Sequence, residues 1–136
     1  GMPRAKPREA EAALMLLSLL QEKGRFLDFV MEDIAAHTDE QVSAATRVVH
    51  QGCAEVVREA FNPRPVCRKA RSETVTLEKG FSAEDYRLVG NIRGEPPYQG
   101  ILLHRGWRAQ KVKLPRRTRP PEEPQSPVIV PAEVEM

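Results

Sequence analysis

A chain of 136 residues with 40% hydrophobic and 29% charged residues fits one compact domain and is short for two. Its formal net charge of +2 is too small to imply nucleic acid or an anionic membrane, so only the distribution of charge is informative. Two cysteines, Cys53 and Cys67, are too few for a disulfide framework, which makes reduced thiols in a cytoplasm the default expectation.

Gly1 before Met2 reads as a tag-cleavage scar, so the native chain is expected to begin at Met2 or to have been trimmed. The first segment, PRAKPREAEAALMLLSLLQEKG, has basic residues before a short apolar run and superficially resembles a signal peptide. Glu9 and Glu11 interrupt the basic region, no small-residue cleavage site follows, and the run falls short of the ~20 residues that span a bilayer. A helix fits better. Ala10, Ala13, Leu14, Leu17 and Leu20 recur at helical spacing, and Gly24 is placed to end it. Met15 and Leu16 widen the apolar face, which predicts either a central place in the core or contact with another chain.

RFLDFVMEDIAAH predicts a second amphipathic helix, with Phe26, Phe29, Val30 and Ile34 on one side and Asp28, Glu32 and Asp33 elsewhere. TDEQ then supplies a capping box, Thr38 accepting from the Gln41 amide while Gln41 reaches back. Val42, Ala45, Val49, Gly52, Cys53, Val56 and Ala60 form the stripe of the third helix, and Pro63 stops it by disfavouring helix at the preceding residue.

After Pro65 the chemistry turns β-like, in ETVTL, YRLVGNI, GILLH and WRAQKVKL, separated by Gly and Pro. For LLHRGWRA, a three-residue turn with left-handed Gly106 would oppose Leu103 to Trp107 and Ile101 to Ala109. That register collects the apolar side chains on one face, so Trp107 is predicted to be core. Beyond Gln110 the polarity switches, which predicts a bulge or strong twist, and Lys111 and Lys113 read as guards of an exposed strand.

The fold class predicted is α+β, three N-terminal helices followed by a small antiparallel sheet and a Pro-rich extended tail. One domain over 1–136 is expected, with a helical part at 7–62 and a β part at 72–114. The tail at 115–136 contains Pro120, Pro121, Pro124, Pro127 and Pro131 and carries an edge strand over 128–134.

Little chemistry is encoded. GNIRGEPPYQG has the glycines of a phosphate-binding loop but neither known spacing, and reads as a loop between strands. His50 and Cys53 share a helix, yet no second ligand pair at zinc-like spacing joins them from His37, His104 or Cys67. Asp33 and His37, four apart, could pair as acid and base, although a solvated ion pair is the commoner outcome. Cys67 lies in the basic run CRKAR, where cations could lower a thiol pKa, but no general base accompanies it. No catalytic residue, metal ligand or cofactor is assigned.

Two binding chemistries stand out. Leu14, Leu17 and Leu20 on the first helix and Val128, Ile129 and Val130 in the tail suggest a protein interface, through helix packing and strand addition, with self-association the simplest form. Between Pro96 and Pro121 there is no acidic residue, and Arg108, Lys111, Lys113, Arg116, Arg117 and Arg119 suggest sequence-nonspecific nucleic-acid binding with steep salt dependence. A charged edge strand leading into a solvated linker explains the same run. An enzyme of unknown type is the third alternative, and no membrane partner is expected.

The run LLSLLQEKGRFLDFVMEDIAAHTDEQVSAATRVVHQGC, with VGNIRGEPPYQGILLHRGWRAQKVKLP and the final PAEVEM, resembles the bacterial family known as domain of unknown function 2760. The resemblance covers the chain from about Ala13 onward and is least typical between Arg116 and Val130. It transfers no catalytic or cofactor role to any position. It implies an accessory role beside an Hsp70-like chaperone ATPase, although the chain lacks the HPD signature by which J-domain cochaperones stimulate such ATPases.

Overall fold

The computed structural model describes residues 7–116 and 126–136. Three helices, α1 (Pro7–Gly24), α2 (Phe26–Met31) and α3 (Asp39–Phe61), precede a two-stranded antiparallel sheet of β1 (Thr74–Leu77) and β2 (Tyr98–Ile101). The fold is α+β, as the hydrophobic periods predict. None of the described helices is long and apolar enough to cross a membrane.

The chain groups into two compact units, Gly1–Asn62 with Lys111–Met136, and Pro63–Gln110. In the first, α1 packs on α2 and α3, and Leu14, Leu17 and Leu20 are half-buried. Two glycines permit the closest approach. A Cβ on Gly52 would lie 1.9 Å from the Lys23 carbonyl oxygen, and one on Gly24 would lie 2.5 Å from Cys53 Sγ. Val56 and Ala60, one and two turns further along α3, are the buried core of this unit.

Local chemistry sets the helix ends. The capping box forms, with Thr38 Oγ1 accepting from the Gln41 amide at 3.2 Å and Gln41 Oε1 accepting from the Thr38 amide at 2.9 Å. At the other end Asn62 adopts left-handed φ 44° before Pro63. The second predicted helix is cut short at Met31, because the Asp33 side chain accepts from the Ala35 amide at 3.0 Å and starts a separate 3-10 turn at Ile34–Ala36. Gln21 caps α2 from α1, its Oε1 accepting from the Leu27 and Asp28 amides at 2.8 and 3.2 Å.

WRAQKVKL is not a continuous strand. The Lys111 and Lys113 amides donate to the Phe61 and Ala60 carbonyls at 3.3 and 2.9 Å, satisfying acceptors that the end of α3 leaves open. The edge strand expected over 128–134 is also absent. There the Val128 amide turns onto Ser126 Oγ at 3.1 Å, the chain bends at Ile129–Val130, and Pro131 offers no N–H.

The second unit is organised by long-range pairing rather than by the predicted hairpin. Thr74 faces Ile101 and Leu77 faces Tyr98 across the sheet. Past β2 the same segment continues along residues 64–73. The Leu102 amide donates to the Glu73 carbonyl at 2.9 Å, the Cys67 amide to the Arg105 carbonyl at 2.9 Å, and Arg64 and Arg108 exchange bonds at 2.9 and 2.7 Å. Ile101 and Leu103 therefore never meet Ala109 and Trp107. YRLVGNI forms no strand, and Gly90, at φ +95°, turns the chain within it.

Candidate functional site

Each position around Leu102 is fixed by the pairing just described. Leu102 is the side chain that goes inside, at 8% exposure, with Cys67 as the other buried side chain of this unit. Ile101, Leu103 and Trp107 are 59%, 53% and 75% exposed, so the tryptophan predicted to be core stands in solvent. Gly106 sets this sidedness: its φ of +72° is left-handed as expected, but its carbonyl accepts from the Val66 amide and not from a hairpin partner.

Val75, Leu77, Leu88, Val89, Ile92, Ile101 and Leu103 are among the residues lining an open concavity of about 830 Å³; in the sheet itself Val75 and Leu77 share the half-buried face with Tyr98, and Ile101 stands on the other face beside Thr74. Ile92 and the neighbouring Val89 are exposed at 49% and 63%. A ribbon of two four-residue strands has too little apolar area to stand alone and ordinarily needs a second layer. The rim is held in place by Phe81 packed edge-on to Tyr98, with ring centroids 6.1 Å apart, and by the Tyr98 hydroxyl donating to the Gly94 carbonyl at 3.1 Å.

Several polar groups in this unit are committed to structure. The Arg108 guanidinium pairs with Asp85 at 3.1 Å. Arg105 donates to the Cys67 and Arg68 carbonyls, each at 3.2 Å. Burial pushes the Tyr86 phenol above its ordinary value, helped by a hydrogen bond to the Cys67 side chain and by the charges of Cys67 and Asp85, while Arg108 works the other way. Cys67 is 6% exposed and packs as a buried side chain, which counts against the nucleophile reading of CRKAR.

The remaining sequence candidates are dispersed. Asp33 caps the 3-10 turn and His37 ends it, so the two do not stand four apart on one helix as their spacing predicted. His50 is exposed on α3, and Cys53 is half-buried against Gly24, where desolvation raises its thiol pKa. Among the described residues no group of three or more His, Cys, Asp or Glu gathers as a metal site would. His104 lines the concavity, without a hydrogen bond to a carboxylate or nucleophile among the described residues.

Of the six basic candidates, Arg108 lies in the second unit and Lys111, Lys113 and Arg116 are exposed in the first, while Arg117 and Arg119 lie outside the described residues. Of the protein-interface candidates, Leu14, Leu17 and Leu20 are half-buried on α1, Val128 is half exposed, and Ile129 and Val130 are half-buried. Sequence reasoning missed Val89 and Ile92 as surface groups and assigned Ile101, Leu103 and Trp107 to the core.

A family model described as Domain of unknown function (DUF2760) matches residues 9–135. No curated protein and no solved structure matches the chain.

Proposed function

The chain belongs to the family of domain of unknown function 2760, and we propose that it serves as a non-catalytic protein-interaction module. The exposed apolar side chains at Val89, Ile92, Ile101 and Leu103 carry this reading. Isolated exposed hydrophobics are ordinary, but Ile101, Leu103, Val89 and Ile92 line or adjoin a single concavity, and a patch of that kind marks a binding surface. The polar groups around it hold the backbone in place and form no nucleophile and base pair.

The test is an affinity pull-down from a lysate of the source organism, comparing the native chain with an Ile101→Asp/Leu103→Asp variant, with and without nuclease. A defined protein recovered only by the native chain, whatever the nuclease, supports the reading. Equal recovery by the variant overturns it, as does a failure to recover any protein from a chain that light scattering shows to be monomeric at high concentration. The finer form of the proposal places the module beside an Hsp70-like chaperone, or has it self-associate. A purified Hsp70-like ATPase whose turnover is unchanged by the module removes the first, and the light-scattering mass decides the second.

Nucleic-acid binding is the second reading, and the exposure of Trp107 favours it. A solvent-facing indole can stack on bases, and residues 63–110 hold nine Arg and Lys against five Asp and Glu. Against it, Arg108 is neutralised by Asp85 and Arg105 is engaged with carbonyls. Recovery abolished by nuclease, and by reversal of Lys111, Arg116 and Arg117 to Glu, would replace the first reading with this one.

A further inference from the structure

The first unit carries an unfilled surface of its own, remote in sequence from the concavity. Between α2, the 3-10 turn and the first half of α3 runs a groove of about 360 Å³, with Phe29, Ile34, Val42, Ala45, Val48 and Val49 as its apolar walls. Along Asp39–His50 only Val42 and Val49 are half-buried, and Val48 and Ile34 are 55% and 49% exposed. That half of α3 has an apolar face that its neighbours leave uncovered.

Charge decides what fits there. The charged residues lining the groove are Arg25 and Glu32, and the rest of residues 25–50 adds Asp28, Asp33, Asp39 and Glu40 against Arg47 beyond the lining. Arg25 is taken by Asp28 at 2.7 Å, and Glu32, Asp39 and Glu40 have no ion pair among the described residues. Two copies meeting groove to groove would set Glu32 against Glu32, and the lining holds no unpaired Lys or Arg for nucleic acid or an anionic lipid surface. A cation-bearing partner is attracted. Backbone geometry then selects its form, because strand addition needs a free sheet edge, whereas the helical walls of this groove satisfy their own amides and offer side chains alone.

We infer that this groove docks a cationic amphipathic helix of another protein, its apolar residues at i, i+3 or i+4 and i+7 lying on Val42, Ala45 and Val48 and its Lys or Arg residues facing Glu32. The experiment uses two labelled 18-residue peptides of identical leucine spacing, one with lysine and one with glutamate on the polar face, titrated into the full chain by fluorescence anisotropy. The lysine peptide binds, more weakly as salt rises, and the glutamate peptide does not.

Val48→Asp and Ile34→Asp, both at exposed positions and checked for native circular dichroism, separate docking from plain attraction. Each adds a negative charge, so attraction alone would strengthen; docking weakens at least tenfold. Unchanged or tighter binding by these variants, equal binding of both peptides, no binding of either, or a dimer in light scattering that Val48→Asp dissociates would each overturn the proposal. Ile101→Asp/Leu103→Asp leaves the peptide affinity unchanged, so this result stands or falls apart from the pull-down.

Discussion

Gly52→Ala tests the packing that positions the helical unit. The added Cβ would sit 1.9 Å from the Lys23 carbonyl oxygen and 2.5 Å from Gly24 Cα, both backbone atoms that no rotamer change can remove. Ordinary contact begins near 3.4 Å, so the last turn of α1 must withdraw by about 1.5 Å from α3. Overpacking of this kind costs roughly 1–3 kcal/mol, and gaps of that size forfeit much of the dispersion between the separated surfaces. Alanine returns about 1 kcal/mol of helix propensity at the same position. The net expectation is a destabilisation of about 2 kcal/mol, read as a fall of roughly 1 M in the urea midpoint by far-ultraviolet circular dichroism. Ser43→Ala, on the exposed side of α3, receives the propensity gain without the clash and should shift the midpoint slightly upward. If Gly52→Ala proves as stable as Ser43→Ala, α1 does not cross α3 at this glycine and the account of the unit's core is wrong.

Thr38→Ala removes one arm of the capping box and should lower stability by about 1 kcal/mol in thermal unfolding, with little further loss when Gln41→Ala is added. Trp107→Asp should change stability by less than about 0.5 kcal/mol, because the indole is exposed, whereas Leu102→Ala should cost roughly 2–5 kcal/mol; the reverse order in urea titrations would restore the hairpin core. The raised Tyr86 phenol keeps its proton in the folded state after the unfolded chain has begun to lose its own near pH 10. Its contribution is therefore complete below that pH and disappears as pH rises through the folded value, so native stability should fall more steeply above pH ~10 than that of Tyr86→Phe. Both thiols should react slowly with a disulfide reagent in the native chain and promptly in denaturant, since Cys67 is buried and Cys53 is packed on Gly24; fast native reaction at Cys67 would reopen the nucleophile reading.

Signals confined to one turn were the legible ones. The Thr38 capping box, the stop at Asn62 and Pro63 and the glycine closing α1 all act between residues three or four apart, and each forms as its spacing predicts. The break inside RFLDFVMEDIAAH was harder to see, because Asp33 is at once an acceptable helix residue and a good cap, and the Ala35 amide decides between them. What Gly24 and Gly52 do together was not legible. Each has a local reading, as terminator and as a small residue on a stripe, and only the crossing of two helices makes them a pair. The docking groove escaped for a related reason: periodicity reports how wide an apolar face is, and Val42, Ala45, Val48 and Val49 form one that reads as core until the neighbours are counted.

The sheet shows the limit in its sharpest form. Alternation along GILLHRGW was correctly read, and a period of two admits only two sidednesses, related by a slip of one residue. Local hairpin reasoning resolved that choice by putting the larger apolar set inside, which is sound when the turn supplies the partner strand. Here the partner comes from residues 64–77, and its carbonyls and amides at Glu73, Cys67 and Val66 set the register before any turn at His104–Gly106 could act. Leu102 is thereby drawn inside, and Ile101, Leu103 and Trp107 are left outside with nothing in the unit to cover them. The alternation that misled the core assignment is the same feature that leaves Ile101 and Leu103 exposed along the concavity on which the proposed interaction rests.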